Sequence, residues 1–345
     1  MRRLVVPLVA LLVFLGVEAA ARVLDGRIPD PVVWGDPFQQ TKAEQIGDLA
    51  GAGVEVVFVG SSVAQADFDP PLFAEASTTF GPGYNAAIPS ATPRLWRLFT
   101  ADTVHQDLCP ALLVVGVDIR QYNDNKPGTE GQVLRYLESR GRRAAVGERS
   151  GWEAAEGWLE DRLALVRIRS RLREPDKLVA WVWEIGDIGG WRKANVTPEG
   201  RYRSFDRLQF EPPATGIADL RRNAFRDFAV GGAEEEALQG IVGDARARGI
   251  EVIMVVMPAM FDEMARALPR GQADVAAFKD SVAAAAARVG APLFTFPEFE
   301  NRAELFGDTH HMNRFGVEAI TTALAERVDA LGVASSNPVC GPADS

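Results

Sequence analysis

Three histidines occur in the whole chain. Two of them, His310 and His311, stand side by side in "FGDTHHMNRFGVEAI" (Phe306–Ile320), just after an aspartate, Asp308. Asp308 and His311 are three apart, so within one helical turn they share a face. A carboxylate beside an imidazole fixes its tautomer and supports the imidazolium that forms when the ring takes a proton. Asp308 and His310 diverge at their spacing, which leaves His310 a neighbour without an assigned role. The matching hydroxyl comes from "VVFVGSSVAQADF", where Gly60 closes an apolar run and Ser61 and Ser62 follow at once. Hydroxyl, imidazole and carboxylate together make a nucleophile suited to acyl transfer. A metal site built from Asp308, His310 and His311 finds no further ligand cluster to complete it, and no cofactor is required.

These residues need elements to bring them together. "VEVVFVG" (Val54–Gly60), "GYNAAIP" and "ALLVVGV" (Ala111–Val117) read as buried strands, the first and third β-branched or apolar throughout. Later, "AEEEALQGIVGDARARGIEVIMVVMP" and "ADVAAFKDSVAAAAARVGAPLFTF" each read as a helix followed by a strand. "TPRLWRLFTADTVHQ" reads as a helix with Thr92 as N-cap, and "NRFGVEAITTALAERVDAL" as a last helix capped by Asn313. Alternating strands and helices imply a parallel sheet covered on both faces. Right-handed crossovers put all strand C-terminal ends on one edge, where ligands bind. The serines and the histidine doublet fall on that edge. His105 falls near the opposite one and is expected to be a surface histidine at a helix C-terminus.

Length and composition bound the rest. The chain has 345 residues, 47% of them apolar, and a net charge of −10. The apolar content suffices for a large core, and the acidic balance argues against nucleic-acid partners. Cys109 and Cys340 pair only if the C-terminal tail folds back. At the start, "MRRLVVPLVALLVFLGVEAAARVL" has two arginines and then an uncharged run from Leu4 to Val17. That run alone is short of the roughly 20 residues of a bilayer span. Extended to Leu24 it reaches that length, and Ala19 to Ala21 also suit a signal-peptide cleavage site. Residues 1–24 are thus an anchor or signal, with the retained anchor preferred. Arg2 and Arg3 stay cytoplasmic and the remainder is exported, periplasmic or extracellular.

A polar connector (25–53) follows, then an α/β domain (54–334) and a disordered tail (335–345). Within the domain lies an insertion at about 121–215. Five of the seven tryptophans fall in it: Trp152, Trp158, Trp181, Trp183 and Trp191. They suit the core of a small helical subdomain, or a lid over the active edge. "RIRSRLR" (Arg167–Arg173) reads as a solvated face, with anionic envelope polymers or lipid headgroups as the alternative.

At these residues the chain resembles the SGNH (GDSL-like) serine hydrolases. "GSS" (Gly60–Ser62) looks like their first motif block and assigns the nucleophile to Ser62. "NAAIPSAT" (Asn85–Thr92) is similar to the second, whose backbone N–H joins the oxyanion hole, here at Ser90. "VVGVDI" (Val114–Ile119) looks like the third, where an asparagine normally donates to the oxyanion; here Asp118 stands in its place. "DTHHMN" (Asp308–Asn313) is similar to the last, aspartate-x-x-histidine, at Asp308 and His311. The resemblance covers about Val54–Gly116 and Gly249–Leu331.

It implies a flavodoxin-like three-layer α/β sandwich with a central parallel sheet, here with a helical insertion. It also implies a Ser62–His311–Asp308 triad and an oxyanion hole from Ser62, Ser90 and Asp118. Asp118 serves as a donor only if burial keeps it protonated; otherwise it turns away, toward Arg120. The anchor and the "GSS" variant look most like the membrane-anchored, envelope-facing, DltD-like branch. That implies an exported esterase or O-acyltransferase acting on acyl esters of envelope or extracellular polysaccharide. The alternative is a non-catalytic scaffold among envelope-assembly proteins.

Overall fold

The structure is a computed structural model that describes residues 2–28, 31–183, 196–210 and 216–333. The tail 335–345, with Cys340, and Trp191 lie outside the described residues. The chain divides into two compact units: Gly35–Glu138 with Asn195–Ser345, and Met1–Trp34 with Ser139–Ala194.

The larger unit is built on five parallel strands: β1 (Val56–Gly60), β2 (Gly83–Asn85), β3 (Leu112–Val117), β4 (Glu251–Val256) and β5 (Leu293–Phe294). Their order is β2-β1-β3-β4-β5. The alternation predicted a parallel sheet, and this is the doubly wound, flavodoxin-like order that the family resemblance implied, with its reversal between β1 and β3. β1 and β3 are buried at every position, as strands covered on both faces must be. One face packs Phe58, Phe68 and Phe73 against the C-terminal helix Arg314–Ala330 through Val317, Ile320 and Leu324. The opposite face is lined by helices that include Pro93–Phe99 and Ala233–Arg246.

The helix Pro93–Phe99 continues as wider π-helical turns over Thr100–Leu108, and this carries His105 inward. His105 is therefore buried, not a surface residue, and neither ring nitrogen finds a hydrogen-bond partner. Burial, then the nearby Arg248, pull its pKa down to about 4. Cys109, at the end of those turns, is disulfide-bonded.

The smaller unit forms around the N-terminal helix Arg2–Asp25. Its segment Val5–Asp25 is long and apolar enough to cross a membrane, as either a span or a signal. Farther along, Ala21 and Ile28 pack with Ala164 and Ile168. The Glu18 carboxylate accepts the free N–H groups of Ala164 (3.0 Å) and Leu165 (3.1 Å), at the start of helix Ala164–Ile168. These two N–H groups have no acceptor within their own helix.

Among the described residues, three tryptophans of the insertion lie outside this unit's core. Trp152, Trp158 and Trp183 are 72%, 55% and 69% exposed, while the small apolar residues named above fill the interior. Three of the four arginines of the run are tied to carboxylates, Arg167 to Asp25, Arg169 to Glu156 and Glu160, and Arg171 to Glu174, while Arg173 is exposed.

Candidate active site

Two glycines face each other where β1 and β3 end, Gly60 opposite Gly116. A Cβ on Gly116 would lie 2.9 Å from both the Ala64 Cβ and the Met257 Sδ, so only a hydrogen fits. The close approach seats the short helix Ser62–Asp67 directly on the C-terminal edge of the sheet. Ser61 caps that helix, its Oγ accepting from the Val63 N–H at 3.2 Å. Asn85, at the end of β2, donates to the carbonyls of Ala64 (2.9 Å) and Phe68 (3.0 Å). Asp67 accepts the Met312 N–H at 2.9 Å and so ties the helix to the histidine loop. Ser62 is thereby held in place from three directions.

The loop before the C-terminal helix is ordered from both ends. Asn313 caps that helix through Phe315 and Gly316 and donates to the Glu304 carbonyl. Gly307 donates to the His311 carbonyl at 2.9 Å. Within the loop, Asp308 Oδ1 accepts the N–H groups of His310 and His311, both at 2.8 Å. Asp308 Oδ2 lies 2.7 Å from His311 Nδ1, and His311 Nε2 lies 3.0 Å from Ser62 Oγ. Residues 249 apart in sequence thus meet in one line of hydrogen bonds. Burial alone would raise the Asp308 pKa, but the two histidines and the hydrogen bonds outweigh it and hold the group well below the usual carboxylate range.

His310 does not diverge from Asp308 as the spacing of two suggests: its Nδ1 lies 3.3 Å from Asp308 Oδ1, because Asp308 also accepts the His310 N–H and so sits under both rings. Its Nε2 meets the Arg120 guanidinium, and its Nδ1 lies 2.9 Å from Thr309 Oγ1. Arg120 can only donate, so Nε2 must accept and the proton sits on Nδ1. Burial, then the charge of Arg120, push the His310 pKa well below its ordinary value. Asp308, His310 and His311 are close enough to hold a metal ion among themselves. However, His310 Nε2 is engaged by a cation, and both His311 nitrogens face Asp308 and Ser62.

Asp118 is placed beside the serines but is not turned toward the Arg120 side chain. Its Oδ2 accepts the Ser61 hydroxyl, and its Oδ1 accepts the backbone N–H groups of Arg120 (3.1 Å) and Gln121 (3.3 Å). Both oxygens act as acceptors, so Asp118 presents no donor to an oxyanion. Among the described residues neither the Ser62 nor the Ser90 N–H is taken by an acceptor. Ser90 has φ of 61°, a left-handed conformation, and Lys126 Nζ donates to its carbonyl at 2.6 Å. Burial dominates the shift that brings the Lys126 pKa down to about 8.

Phe205 stacks on the His311 ring, with centroids 3.8 Å apart and an 11° tilt. It belongs to the segment 196–210. That segment is fastened by Arg201, which bonds to the Ala66 carbonyl, Asp69 and Asp206, and by Tyr202, whose N–H reaches the Gln65 carbonyl. Sequence reading did not find Phe205, Lys126 or Asp67. Phe205 and Lys126 lie within the stretch read as one undivided insertion, and no local pattern announces a ring stacked on a distant imidazole. Asp67, only five residues beyond Ser62, carried a local signal: a carboxylate on the inward face of a helix.

No family model matches the chain, and no curated protein matches it. Among solved structures it is similar to the crystal structure of an acetyl xylan esterase, AlAXEase. The two share 12% identity at a TM-score of 0.36, over 80% of this chain and 100% of that one. At that identity and score the likeness bears on neither substrate nor residue roles.

Proposed function

We propose that the protein is a serine esterase or O-acyltransferase of the SGNH type. The observation that carries this reading is the line Asp308–His311–Ser62, with spacings of 2.7 and 3.0 Å at a strand-end edge. Ser62 Oγ attacks an ester carbonyl while His311 Nε2 takes its proton. Asp308 holds the ring with Nδ1 protonated and offsets the imidazolium charge. The carbonyl oxygen, now negative, is met by the Ser62 and Ser90 N–H groups. Collapse of the tetrahedral intermediate breaks the ester bond, and His311 gives its proton to the departing alkoxide. The acyl-enzyme then passes its acyl group to water or to a sugar hydroxyl: His311 deprotonates that acceptor and returns the proton to Ser62 Oγ as the acyl–serine bond breaks.

An exported, anchored state is part of the same proposal, with envelope or extracellular polysaccharide esters as substrates. It is supported by the apolar N-terminal helix. A disulfide at Cys109 favours an oxidising compartment. Retention of the segment, rather than cleavage near Ala19–Ala21, is supported by the use of Glu18 and Ala21 inside the smaller unit. The second reading, a non-catalytic scaffold among envelope-assembly proteins, draws on Asp118, which accepts hydrogen bonds where a donor is needed.

A fluorophosphonate probe separates the two readings. The native protein should be labelled and Ser62→Ala should not. Labelling that persists in the alanine variant overturns the assignment of the nucleophile, and no labelling of either favours the scaffold.

A further inference from the structure

A cavity of about 340 Å³ opens beside the Asp308–His310 stretch, walled by Leu220 and Ala224 and reaching Thr309, His310 and Arg120. Its volume falls in the range of small-molecule sites and suits a group the size of one sugar. Arg120 is the unusual member. Arg94, Arg97 and Arg201 each answer a carboxylate. Among the described residues Arg120 answers none: its only side-chain partner is the neutral His310 ring, and its Nε is buried without a partner. A half-buried guanidinium with no paired carboxylate leaves donor capacity for an anion in the cavity.

The carboxylates near this cavity cannot supply one. Both Asp308 oxygens are taken by the histidines, and Asp219 is paired with Arg222. Lys126, on the same turn after β3, bonds to the Ser90 carbonyl and forms no ion pair among the described residues. Arg120 therefore lines the cavity without a paired carboxylate among the described residues, next to the Asp308–His310 stretch of the candidate triad loop.

We propose that this cavity is a subsite for a carboxylate carried by the substrate, anchored by the Arg120 guanidinium. The inference rests on the acyl-transfer reading for its place in catalysis, though not for the binding itself. A planar carboxylate fits the donor fork of arginine better than any neutral group does. The carboxylate can sit on the acyl side of the ester or on the sugar side, and the chemistry at Arg120 is the same.

The experiment uses the full chain in detergent at low salt, with two matched pairs of esters. Para-nitrophenyl acetate against para-nitrophenyl hemisuccinate places the charge on the acyl side. An O-acetylated methyl glucoside against the corresponding methyl glucuronoside places it on the sugar side. In one pair the charged member should be favoured about tenfold or more in kcat/KM, the scale of a charge-assisted hydrogen bond. That ratio should fall toward one in Arg120→Gln and be partly kept in Arg120→Lys. General damage to the triad cancels in the ratio. In parallel, succinate and glucuronate are titrated calorimetrically into Ser62→Ala, with and without Arg120→Gln. Binding that depends on Arg120 supports the subsite even if no ester is turned over, an outcome that counts against the acyl-transfer reading alone. Ratios near one in both pairs, a preference that Arg120→Gln leaves unchanged, or no binding of either acid overturns the subsite.

Discussion

The adjacent histidines have different surroundings, and this has consequences at the scale of single residues. His310 is kept neutral by burial and by Arg120, and His105 is kept neutral by burial, its pKa down to about 4. Both folded-state values are depressed, so the unfolded chain binds the protons first as pH falls. The stability they contribute is fully present above the ordinary histidine value of 6.5 and is lost below it. The histidine contribution to the urea midpoint should therefore be flat above that value and decline toward pH 4. His105→Leu should remove part of the slope. Asp67 has the opposite sign: burial raises its pKa well above 3.8, so the fold loses stability as pH rises and the carboxyl ionises. Asp67→Asn keeps an acceptor for the Met312 N–H and should raise neutral-pH stability by about 1 kcal/mol in denaturant melts. The pairing of Asp308 with His311 was legible from a spacing of three. The commitment of Asp118 to Ser61 was not, because it depends on which way a carboxylate turns once β1 and β3 are adjacent.

At the scale of elements, short apolar runs were enough to read the strands, and the handedness of their crossovers gave the edge at which they finish. What periodicity could not supply was the fit between elements. Gly116 is an unremarkable strand residue in sequence, yet it lets the Ser62 helix rest on the sheet. Gly116→Ala should cost about 1–3 kcal/mol by overpacking and lower kcat more than KM, because the helix that carries Ser62 has to lift. Denaturant melts and steady-state kinetics on a neutral ester measure both. Asn313→Ala removes the cap of the last helix and a bond to the Glu304 carbonyl. It should cost about 1–2 kcal/mol and loosen the loop that holds Asp308 and His311. The segment 196–210 was illegible because its contacts, Phe205 on His311 and Arg201 on Asp69, join stretches far apart in the chain.

At the scale of the whole molecule, a reading based on the tryptophans misled. Aromatic residues usually mark cores, but Trp152, Trp158 and Trp183 are exposed, and the smaller unit is held by Ala21, Ile28, Ala164 and Ile168. Half of that core belongs to the first 28 residues, so the N-terminal helix is more than an address. A chain beginning after Ile28 should leave Ala164 and Ile168 uncovered and two helix N–H groups unanswered. Residues 139–183 should then be cut quickly by trypsin, while the larger unit resists. Equal resistance of the shortened and full chains would sink that expectation.

The order of synthesis adds a constraint. Ser62 emerges from the ribosome early, and the imidazole that would activate it follows 249 residues later. For most of the polypeptide's birth the serine is an ordinary alcohol, unable to react with metabolites it meets on the way. On the proposed mechanism a chain interrupted before His311 is silent for the same reason, so the serine would gain its reactivity only after the histidine loop has been made.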